Sequence, residues 1–442
     1  MRKILVLGAG RSSASLIRYL LDNALAYDWK VIVGDISEAA AIRAVGATDS
    51  GRGIYFNINE NSAIETISSA DVVISLLPPH LHPQVARICL DQHKHLLTAS
   101  YVSQEMAACH SQAVGADLLF LNECGLDPGI DHMSAMQVID RIRNAGGRIL
   151  SFESFTGGLI DPTSGPDNPW KYKFTWNPRN VVMAGQGMAR FLKDGELKFV
   201  PYQQLFRRTT HVVFPNGEKY EGYANRDSLK YIDTYGLAGI KTMLRGTLRH
   251  VGFCEAWDVL VQLGCCDDTV TMDDVANMTH RDFISAFLDS KRGENDLARW
   301  ISSAVGEVSE MAMQKLKWSG FFDDEPVGLQ KGTPAQILEH ILNKRWKLDP
   351  NDRDLIVMQH RFAYDLNGTV KRIHSSMVTR GDNGTHTAMA KTVGLPMAIA
   401  TKLLLTGKLT RRGVAIPTTP DFYEPILTEL KEQGLSLSDE EV

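Results

Sequence analysis

The sequence predicts an α/β protein, with a doubly wound parallel sheet in its first third and a second, α+β domain after it. Two patterns indicate the sheet. Short apolar runs alternate with helical patterns as far as residue 121, and a glycine-rich turn joins the first run to the first helix. The chain has 442 residues, and at about 100–200 residues per domain that length predicts two or three domains.

The composition is that of an ordinary globular protein, with 44% hydrophobic and 22% charged residues. It excludes a disordered chain, a collagen and a disulfide-stapled mini-protein. The formal net charge of −5 argues against a nucleic-acid partner, which would require a basic face. Small anionic substrates are not excluded, because they need only a local cluster of Arg or Lys.

Cysteine usage and hydropathy indicate the compartment. The six cysteines form no C-x-x-C pair and no zinc spacing, which is typical of reduced thiols in a cytoplasmic protein. No uninterrupted apolar run approaches the roughly 18–20 residues that span a bilayer, so we expect no membrane partner. The apolar run after the basic start is also too short for a signal peptide.

The first element is an apolar run over residues 3–8, typical of a strand buried on both faces of a parallel sheet. It leads into Gly8-Ala9-Gly10-Arg11-Ser12-Ser13 and then a helical pattern, which is the context of a dinucleotide-binding fingerprint. Gly8 would form the tight turn, and Gly10 would let the backbone approach the pyrophosphate at the helix N-terminus. Ser13 replaces the third glycine and is small enough to allow close packing of the helix on the strand.

A second buried strand over 30–34 ends at Asp35, 27 residues after Gly8, close to where the ribose-binding acid falls. A carboxylate there accepts hydrogen bonds from the ribose hydroxyls and repels a 2′-phosphate, so the sequence favours NAD as the cofactor. NADP stays possible because Arg11, in the glycine turn, would offset that repulsion.

The alternation of strands and helices then continues to residue 121. The predicted strands are 53–57, 71–75, 95–98 and 117–121, and the predicted helices are 64–69, 80–92 and 103–113. This repetition indicates a Rossmann-type doubly wound sheet. Because ligands bind outside the carboxyl ends of the strands, Leu77 and Pro78 should lie beside the cofactor.

Four histidines, His80, His82, His93 and His95, lie near these turns. They have no carboxylate placed with them and no metal-ligand spacing. We expect solvated residues of turns and helix ends, and the sequence predicts no metal site.

A segment rich in Gly, Pro and Asp follows the strand over 117–121 and marks a domain boundary, at residues 124–132. Asp127 in this segment has two interpretations. It is either a cap of the helix predicted over 134–143 or a polar group of the cofactor cleft.

The middle of the chain predicts strands followed by helices, which suggests an α+β domain. A strand is predicted over 149–155, and strands over 210–214 and 219–223 flank the hairpin signal Pro215-Asn216-Gly217. Helical patterns are predicted over 273–289, 295–317 and 334–344.

Three arginines of the middle block, Arg226, Arg245 and Arg249, are candidate carboxylate clamps. Arg245 and Arg249 are four residues apart, so a helix would place them on one face. The alternative is that each of them is a solvated surface residue, as most arginines are.

The most specific motif is Asn122-Glu123-Cys124-Gly125-Leu126-Asp127-Pro128-Gly129-Ile130-Asp131-His132. Further motif segments are Ser75 to Pro78, Lys94 to Ser103, Asp167 to Pro169, Tyr172 to Phe174, Asn225 to Ser228, Arg245 to Arg249, Asp352 to Leu355, Gln359-His360 and Ala388 to Gly394. Together they resemble the family of saccharopine dehydrogenases of the L-glutamate-forming type, also called saccharopine reductases. The resemblance spans nearly the whole chain.

The resemblance implies the roles of particular residues. The implied substrate site is lined by Ser100, Tyr101, Asp127, Arg226, Arg245, Thr247, Leu248, Arg249 and His250. The implied dinucleotide contacts are Gly8, Ala9, Gly10, Arg11, Ser12, Asp35, Ile36, Ser37, Asn57, Ile58, Leu77, Pro78, Leu126, Asp127 and Pro128. Asp127 is the first candidate acid/base and Tyr101 is the second.

Two positions depart from the fungal members of this family. Those members carry a Cys where this chain has Thr156, so a thiol is not essential at that position here. They also carry a Cys-Arg-Thr turn suited to NADP where this chain has Asp35-Ile36-Ser37, a difference that supports NAD.

The family fold returns its C-terminal segment to the nucleotide domain. This implies a dinucleotide-binding domain of residues 1–124 and 385–442, with an inserted substrate-binding domain of residues 125–384 that forms a homodimer. The sequence agrees, with helical patterns over 387–405 and 421–433 and an extended link over 413–417.

The implied reaction converts saccharopine, NAD and water into L-glutamate, 2-aminoadipate 6-semialdehyde and NADH. Saccharopine carries three carboxylates, which would explain several arginines in one site. Two alternatives remain. One is a related carboxynorspermidine-type dehydrogenase, whose diamine substrate would require an acidic lining. The other is a nucleotide-binding scaffold without chemistry.

Overall fold

The computed structural model describes residues 1–165, 167–184, 186–289 and 296–442. The chain forms two compact units. The N-terminal unit contains Met1–Arg148 and Gly381–Ser438, and the inserted unit contains Ile149–Arg380 and Asp439–Val442.

Strands occur in both units. In chain order the described residues form β1 (Arg2–Leu7), β2 (Trp29–Asp35), β3 (Gly51–Tyr55), β4 (Val72–Ser75), β5 (His95–Thr98), β6 (Leu119–Leu121), β7 (Arg148–Ile160), β8 (Ala189–Lys193), β9 (Glu196–Val200), β10 (Thr210–Val213), β11 (Lys219–Ala224), β12 (Thr242–His250), β13 (Met272–Asp273), β14 (Lys331–Gly332), β15 (Asp354–Leu366), β16 (Thr369–Arg380), β17 (Gly413–Ala415) and β18 (Ser438–Glu441).

Helices connect these strands. In the same order they are α1 (Ala14–Ala24), α2 (Glu38–Val45), α3 (Ser62–Ser68), α4 (His82–Asp91), α5 (Gln104–Ala108), α6 (His110–Gly115), α7 (Ile130–Asn144), α8 (Pro178–Val182), α9 (Tyr202–Leu205), α10 (Lys230–Thr234), α11 (Phe253–Leu263), α12 (His280–Ser285), α13 (Leu297–Val305), α14 (Glu310–Trp318), α15 (Pro334–Trp346), α16 (Ala388–Leu405) and α17 (Pro420–Glu432).

The sheet of the N-terminal unit is parallel throughout, in the order β17-β6-β5-β4-β1-β2-β3. The inner strand β1 is buried on both faces, and the side chains of Ile4 to Leu7 are fully inaccessible. Strands are added outward from β1 in both directions, so the predicted Rossmann-type doubly wound fold is confirmed. The direction of strand addition reverses between β1 and β4, which is where such sheets bind ligands.

The C-terminal segment completes this unit. The extended link predicted over 413–417 contains β17, which pairs in parallel with β6. Helix α16 is 18 residues long with a mean hydropathy of 1.3, so by length and composition it could cross a membrane, but 78% of it is buried in the fold. It packs on α1 so closely that a Cβ on Gly394 would lie 2.9 Å from the Cβ of Leu16.

The division between the units differs from the predicted domain boundaries, 1–124 with 385–442 and 125–384. Residues 125–148 belong to the N-terminal unit because α7 packs against α17. A hydrogen bond from the Tyr423 hydroxyl to Asp140 Oδ2, 2.8 Å long, joins the two helices.

The inserted unit is built on a mixed sheet whose main path is β10-β11-β12-β7-β15-β16-β18. The predicted hairpin is confirmed, since β10 and β11 pair antiparallel around residues 215–217. The hydrophobic core of this unit is rich in aromatic side chains and includes Trp170, Trp257 and Trp346, all buried.

Residues 245–249, where a helix would have placed two arginines on one face, lie in strand β12. One helical prediction in this unit is wrong. The pattern over 273–289 contains the end of β13 and the short helix α12. The pattern over 295–317 forms two helices, α13 and α14, and its first residue lies outside the described part of the chain. The helix predicted over 334–344 is confirmed as α15, which begins with a capping box at Thr333.

Candidate active site

The glycine turn follows β1 and requires glycine at its first position. Gly8 has a φ of +104°, and a Cβ there would lie 3.2 Å from the carbonyl oxygen of Leu76, just beyond β4. Gly10 faces open space, because a Cβ on it would meet no atom within 4 Å. A ligand can therefore approach the backbone of Gly10 closely, which is what a dinucleotide pyrophosphate requires.

Ser13 occupies the position of the third glycine of the motif. Its hydroxyl donates to the carbonyl of Gly10 at 2.8 Å, and the residue is buried. The side chain thus folds back onto the turn and stabilises it, which explains how the motif tolerates a serine.

Asp35 connects the end of β2 to the glycine turn. Its Oδ2 accepts the backbone N–H of Ala9 at 2.8 Å, and its Oδ1 accepts that of Ser37 at 2.8 Å. Ser37 is the N-cap of α2 and accepts the N–H of Ala40 through its hydroxyl at 3.3 Å. The carboxylate is held in place by the backbone, beside the predicted ribose position, with Ile36 exposed next to it.

A cavity of about 830 Å³ adjoins the glycine turn. It lies along α1 and α2 and is bordered by residues 384–386. Its lining includes Arg11, Arg18 and Arg43 and one carboxylate, Asp22, which lies 3.7 Å from Arg18. The excess of guanidinium groups favours anionic ligands on this side of the N-terminal unit.

The remaining predicted cofactor residues of this edge follow β3 and β4. Asn57 orders its turn by accepting the N–H of Asn59 at 3.1 Å, and the carbonyl of Ile58 accepts from the Gln84 amide at 2.9 Å. Leu77 packs against the core while Pro78 is exposed. Both turns stand at the carboxyl edge of the sheet, as predicted, because the strands are parallel.

The turn from Gly125 to Gly129 carries Asp127 and precedes α7. The Asp127–Pro128 peptide bond is cis. Gly125 and Gly129 approach so closely that a Cβ on Gly129 would lie 2.1 Å from the Gly125 carbonyl oxygen. The cap interpretation of Asp127 is wrong, since the N-cap of α7 is Gly129 and the side chain that accepts its N–H is Asp131.

His82 is the first residue of α4 and is buried. It is only 4% exposed, so the expectation of a solvated histidine is wrong. Its Nδ1 lies 3.0 Å from the Ser75 hydroxyl, and its Nε2 lies 2.8 Å from that of Ser100 and 3.2 Å from that of Thr98. Burial lowers the pKa of His82 to about 4, so a neutral imidazole ties the ends of β4 and β5 to the predicted substrate residue Ser100.

Glu123 and His132 form a buried pair that the sequence does not reveal, because no local pattern of residues indicates that these side chains face each other. Glu123 follows β6 and His132 lies in the first turn of α7. The Glu123 Oε2 is 2.8 Å from the His132 Nε2.

In the inserted unit, Arg245 and Arg249 are four residues apart in β12 and lie on one face because side chains alternate along a strand, whereas the sequence considered a helix. The Arg249 guanidinium is buried between aromatic rings, 5.0 Å from the ring centre of Tyr172 and 5.2 Å from that of Phe253. The Arg245 guanidinium stacks 4.1 Å from the ring centre of Tyr231.

Arg249 lacks a counter-ion within the described residues. Its Nη1 donates to the Leu248 carbonyl at 3.0 Å, and its buried Nε has no partner. Glu221, its neighbour across the ladder, instead accepts the N–H groups of Gly252 and Cys254 at 2.7 and 3.0 Å. Burial raises the pKa of Tyr223, beside Arg249, to about 12, so this hydroxyl is neutral at pH 7 and does not balance the charge.

The other predicted substrate residues of this unit differ in exposure. Arg226 is exposed and has a left-handed backbone with φ of +47°. Thr247 lies beside Thr156 of β7. Leu248 and His250 are the neighbours of Arg249 in β12, so their side chains lie on the opposite face of the strand. Leu248 is fully buried, and the Nε2 of His250 lies 3.4 Å from the Ile160 carbonyl.

Across the described ranges, no group of three or more His, Cys, Asp or Glu side chains is arranged to hold a metal ion.

Two family models match the chain. The model described as saccharopine dehydrogenase NADP binding domain matches residues 4–121, and the model described as saccharopine dehydrogenase C-terminal domain matches residues 125–435.

Curated proteins of two descriptions are similar to the chain. The chain is 32% identical over 449 residues to the saccharopine dehydrogenase (NADP(+), L-glutamate-forming) of Saccharomyces cerevisiae, covering 100% of this chain and 99% of that protein. It is 32% identical over 446 residues to the mitochondrial alpha-aminoadipic semialdehyde synthase of Rattus norvegicus, where the match covers 98% of this chain and 47% of the relative.

Solved structures agree with the sequence matches. The apo histidine-tagged saccharopine dehydrogenase (L-Glu forming) from Saccharomyces cerevisiae has a TM-score of 0.91 at 31% identity, covering 100% of both chains. The homospermidine synthase of Legionella pneumophila, solved with NAD, has a TM-score of 0.55 at 10% identity and shows a shared fold alone; that match covers 100% of this chain and 91% of that one. The chain belongs to the saccharopine dehydrogenase family and is an oxidoreductase with a site for a nicotinamide dinucleotide.

Proposed function

We propose that the chain interconverts saccharopine with L-glutamate and 2-aminoadipate 6-semialdehyde in lysine metabolism. The observation that carries this proposal is the buried guanidinium of Arg249, for which the described residues provide no carboxylate partner. Saccharopine has three carboxylates, and arginine binds a carboxylate through two parallel hydrogen bonds. The names of the yeast relative and the yeast structure support the same substrate.

The proposed reaction requires proton transfers that the chain must perform. When bound, the nicotinamide ring accepts the hydrogen and the electron pair from the carbon that carries the secondary amine. Before that step the amine must lose a proton, and afterwards the imine must gain a water. Asp127, half-buried in the turn before α7, is proposed as the proton acceptor. Tyr101 is proposed as the donor that orients the amine or the water.

We propose NAD as the preferred cofactor. The Asp35 carboxylate is fixed by the N–H groups of Ala9 and Ser37. A 2′-phosphate bound at this edge would face that negative charge. The yeast relative and the family model are named for NADP, so this preference would separate the chain from them.

A turnover assay tests both the substrate and the cofactor. The purified chain is mixed with saccharopine and either NAD or NADP, and formation of the reduced nucleotide is followed by absorbance. We expect kcat/KM to be at least about 10-fold higher with NAD, equivalent to roughly 1.4 kcal/mol. A higher value with NADP would contradict the cofactor assignment, and no reduction with either would contradict the substrate.

Asp35→Asn sharpens the cofactor test. It keeps one side-chain oxygen for a backbone donor and removes the charge, so kcat/KM with NADP should rise relative to NAD by about 10-fold. Asp49→Asn is the matched control. It removes an exposed charge just before β3, at the amino edge of the sheet and away from the carboxyl edge that carries Asp35.

The two alternative functions make different predictions. A carboxynorspermidine-type substrate would bring cationic amines, whereas Arg249 is itself a buried cation, so the residues favour a carboxylate-rich substrate. A scaffold without chemistry would bind the dinucleotide and show no saccharopine-dependent reduction.

We also propose that the chain acts as a cytoplasmic homodimer formed through the inserted unit. The hairpin of β8 and β9 exposes Leu197 and Phe199 on one face, with 57% and 50% of their surfaces accessible. Exposed apolar patches of this kind favour association between copies of a chain. The six cysteines are unpaired and buried, which suits a reducing compartment.

A further inference from the structure

One residue, Glu123, brackets the segment that carries Tyr101. The backbone N–H of Glu123 donates to the Ser100 carbonyl at 3.0 Å. Its carboxylate Oε1 accepts the backbone N–H of Val102 at 3.1 Å. Tyr101 is therefore held on both sides by the same residue, which follows the neighbouring strand β6.

The second carboxylate oxygen of Glu123 reaches the helix that follows the Asp127 turn. Oε2 lies 2.8 Å from Nε2 of His132 in α7. Between these two residues the chain forms the Asp127 turn, which is closed by a hydrogen bond from Gly125 N–H to the Pro128 carbonyl at 2.9 Å. Glu123 thus connects the segment of Tyr101 to the base of the turn that carries Asp127.

The contacts of Glu123 are made at a cost in folding free energy. Glu123 is 6% exposed, and His132 is fully buried. The backbone of Glu123 has a φ of +54°, in the left-handed region that residues other than glycine seldom adopt. Burying a carboxylate and holding such a backbone both cost free energy, and residues of this kind concentrate at functional sites.

We propose that Glu123 is a positioning residue that fixes Tyr101 relative to Asp127. The inference rests on the proposed function, in which those two side chains handle the protons of the reaction. Misplacing a reacting group by about 1 Å can lower a rate by about 100-fold. Glu123 acts through Val102 and His132 and does not itself transfer a proton.

Two substitutions separate the effect of the length of the Glu123 side chain from the effect of its charge. Glu123→Asp keeps the charge but withdraws the carboxylate by about 1.5 Å, one carbon–carbon bond. Glu123→Gln loses the charge but keeps the oxygen that accepts from Val102 and an amide that can donate to His132. For a positioning residue we expect kcat of the Gln variant to exceed that of the Asp variant by at least about 10-fold, with KM for the dinucleotide little changed.

Asp71→Asn is the matched control, because Asp71 also accepts a backbone N–H, from Lys3 at 2.7 Å, and pairs with a cation, Arg2 at 3.0 Å. Asp71 precedes β4 and so lies at the amino edge of the sheet, opposite the carboxyl edge that carries Tyr101 and Asp127. The kcat of Asp71→Asn should therefore equal that of the wild type. An Asp variant with kcat equal to or above that of the Gln variant would overturn the proposal.

If Glu123→Asp does not fold, His132→Asn replaces it in the test, because it cuts the connection to α7 and leaves the Val102 contact. A lowered kcat is then expected, by about 10-fold, and an unchanged kcat would overturn the proposal.

Amide hydrogen exchange tests the contact between Glu123 and Val102 without any substrate. The amide of Val102 loses its acceptor in Glu123→Asp and should exchange faster in that variant than in the wild type. It should exchange at the wild-type rate in Asp71→Asn and in His132→Asn, which keeps the Glu123–Val102 contact. Unchanged exchange at Val102 in Glu123→Asp would overturn the proposal even if turnover fell. Absence of saccharopine turnover in the wild type would refute the proposed function instead, since the exchange result does not depend on it.

Discussion

Single side chains decide the chemistry proposed for this chain, and Arg249 is the clearest case. A buried guanidinium without a carboxylate is destabilising, and the rings of Tyr172 and Phe253 offset only part of that cost. A bound substrate carboxylate would complete the site. The sequence identified Arg249 as a candidate clamp, but it could not show that the residue is buried.

Arg249→Met tests this role. We expect KM for saccharopine to rise by about 10–100-fold, because a hydrogen bond to a charged partner contributes about 1.5–3 kcal/mol. Without substrate the variant should be as stable as the wild type or more stable, since it removes an uncompensated buried charge. Arg207→Met is the control, because Arg207 is partly exposed and pairs with Asp258 at 2.7 Å. An unchanged KM in the Arg249 variant would contradict the clamp.

At the scale of elements, strand ends and turns carry the site. The glycine turn after β1 was predictable because a φ of +104° at Gly8 and an open approach at Gly10 require glycine. The sequence did not reveal strand β12 at 245–249, because two arginines four apart share a face in a helix and in a strand alike. The partners of that strand, β7 and β11, come from distant parts of the chain.

His82 gives a prediction for the connection between β4 and β5. Its pKa is lowered from the ordinary 6.5 to about 4 by burial, with a smaller effect of His80. Between these values the unfolded chain binds a proton that the folded chain does not, so stability is fully present above about pH 6.5 and is lost as the pH falls toward 4. Each such histidine changes the free energy of unfolding by up to about 1.4 kcal/mol per pH unit.

The measurement is the melting temperature at about pH 7, where this stability is fully present, and at about pH 5, where part of it is lost. The decrease between them should be smaller in His82→Asn than in the wild type. His93→Asn should behave as the wild type, because His93 is exposed and its left-handed backbone, with φ of +53°, suits asparagine. An equal decrease in all three proteins would show that His82 is not the group that titrates.

For the whole molecule, the proposed homodimer is the property to test. Light scattering should give twice the mass of one chain for the wild type. The double substitution Leu197→Asp with Phe199→Asp should give a single-chain mass, since it places two charges in the apolar patch of β9. Leu25→Asp in the N-terminal unit is the control, because Leu25 is 89% exposed there. A wild type with the mass of one chain would contradict the dimer.

The sequence by itself determined the doubly wound sheet, the glycine turn, the acid at the end of β2 and the family. These features depend on local causes, namely hydrophobic periodicity, the conformational freedom of glycine and contiguous motifs. Only the tertiary structure decided that His82 bridges Ser75 and Ser100, that Glu123 brackets Tyr101 and that Arg249 is buried without a carboxylate. The physical reason is that burial and pairing depend on residues that are distant in the chain and adjacent only in the fold.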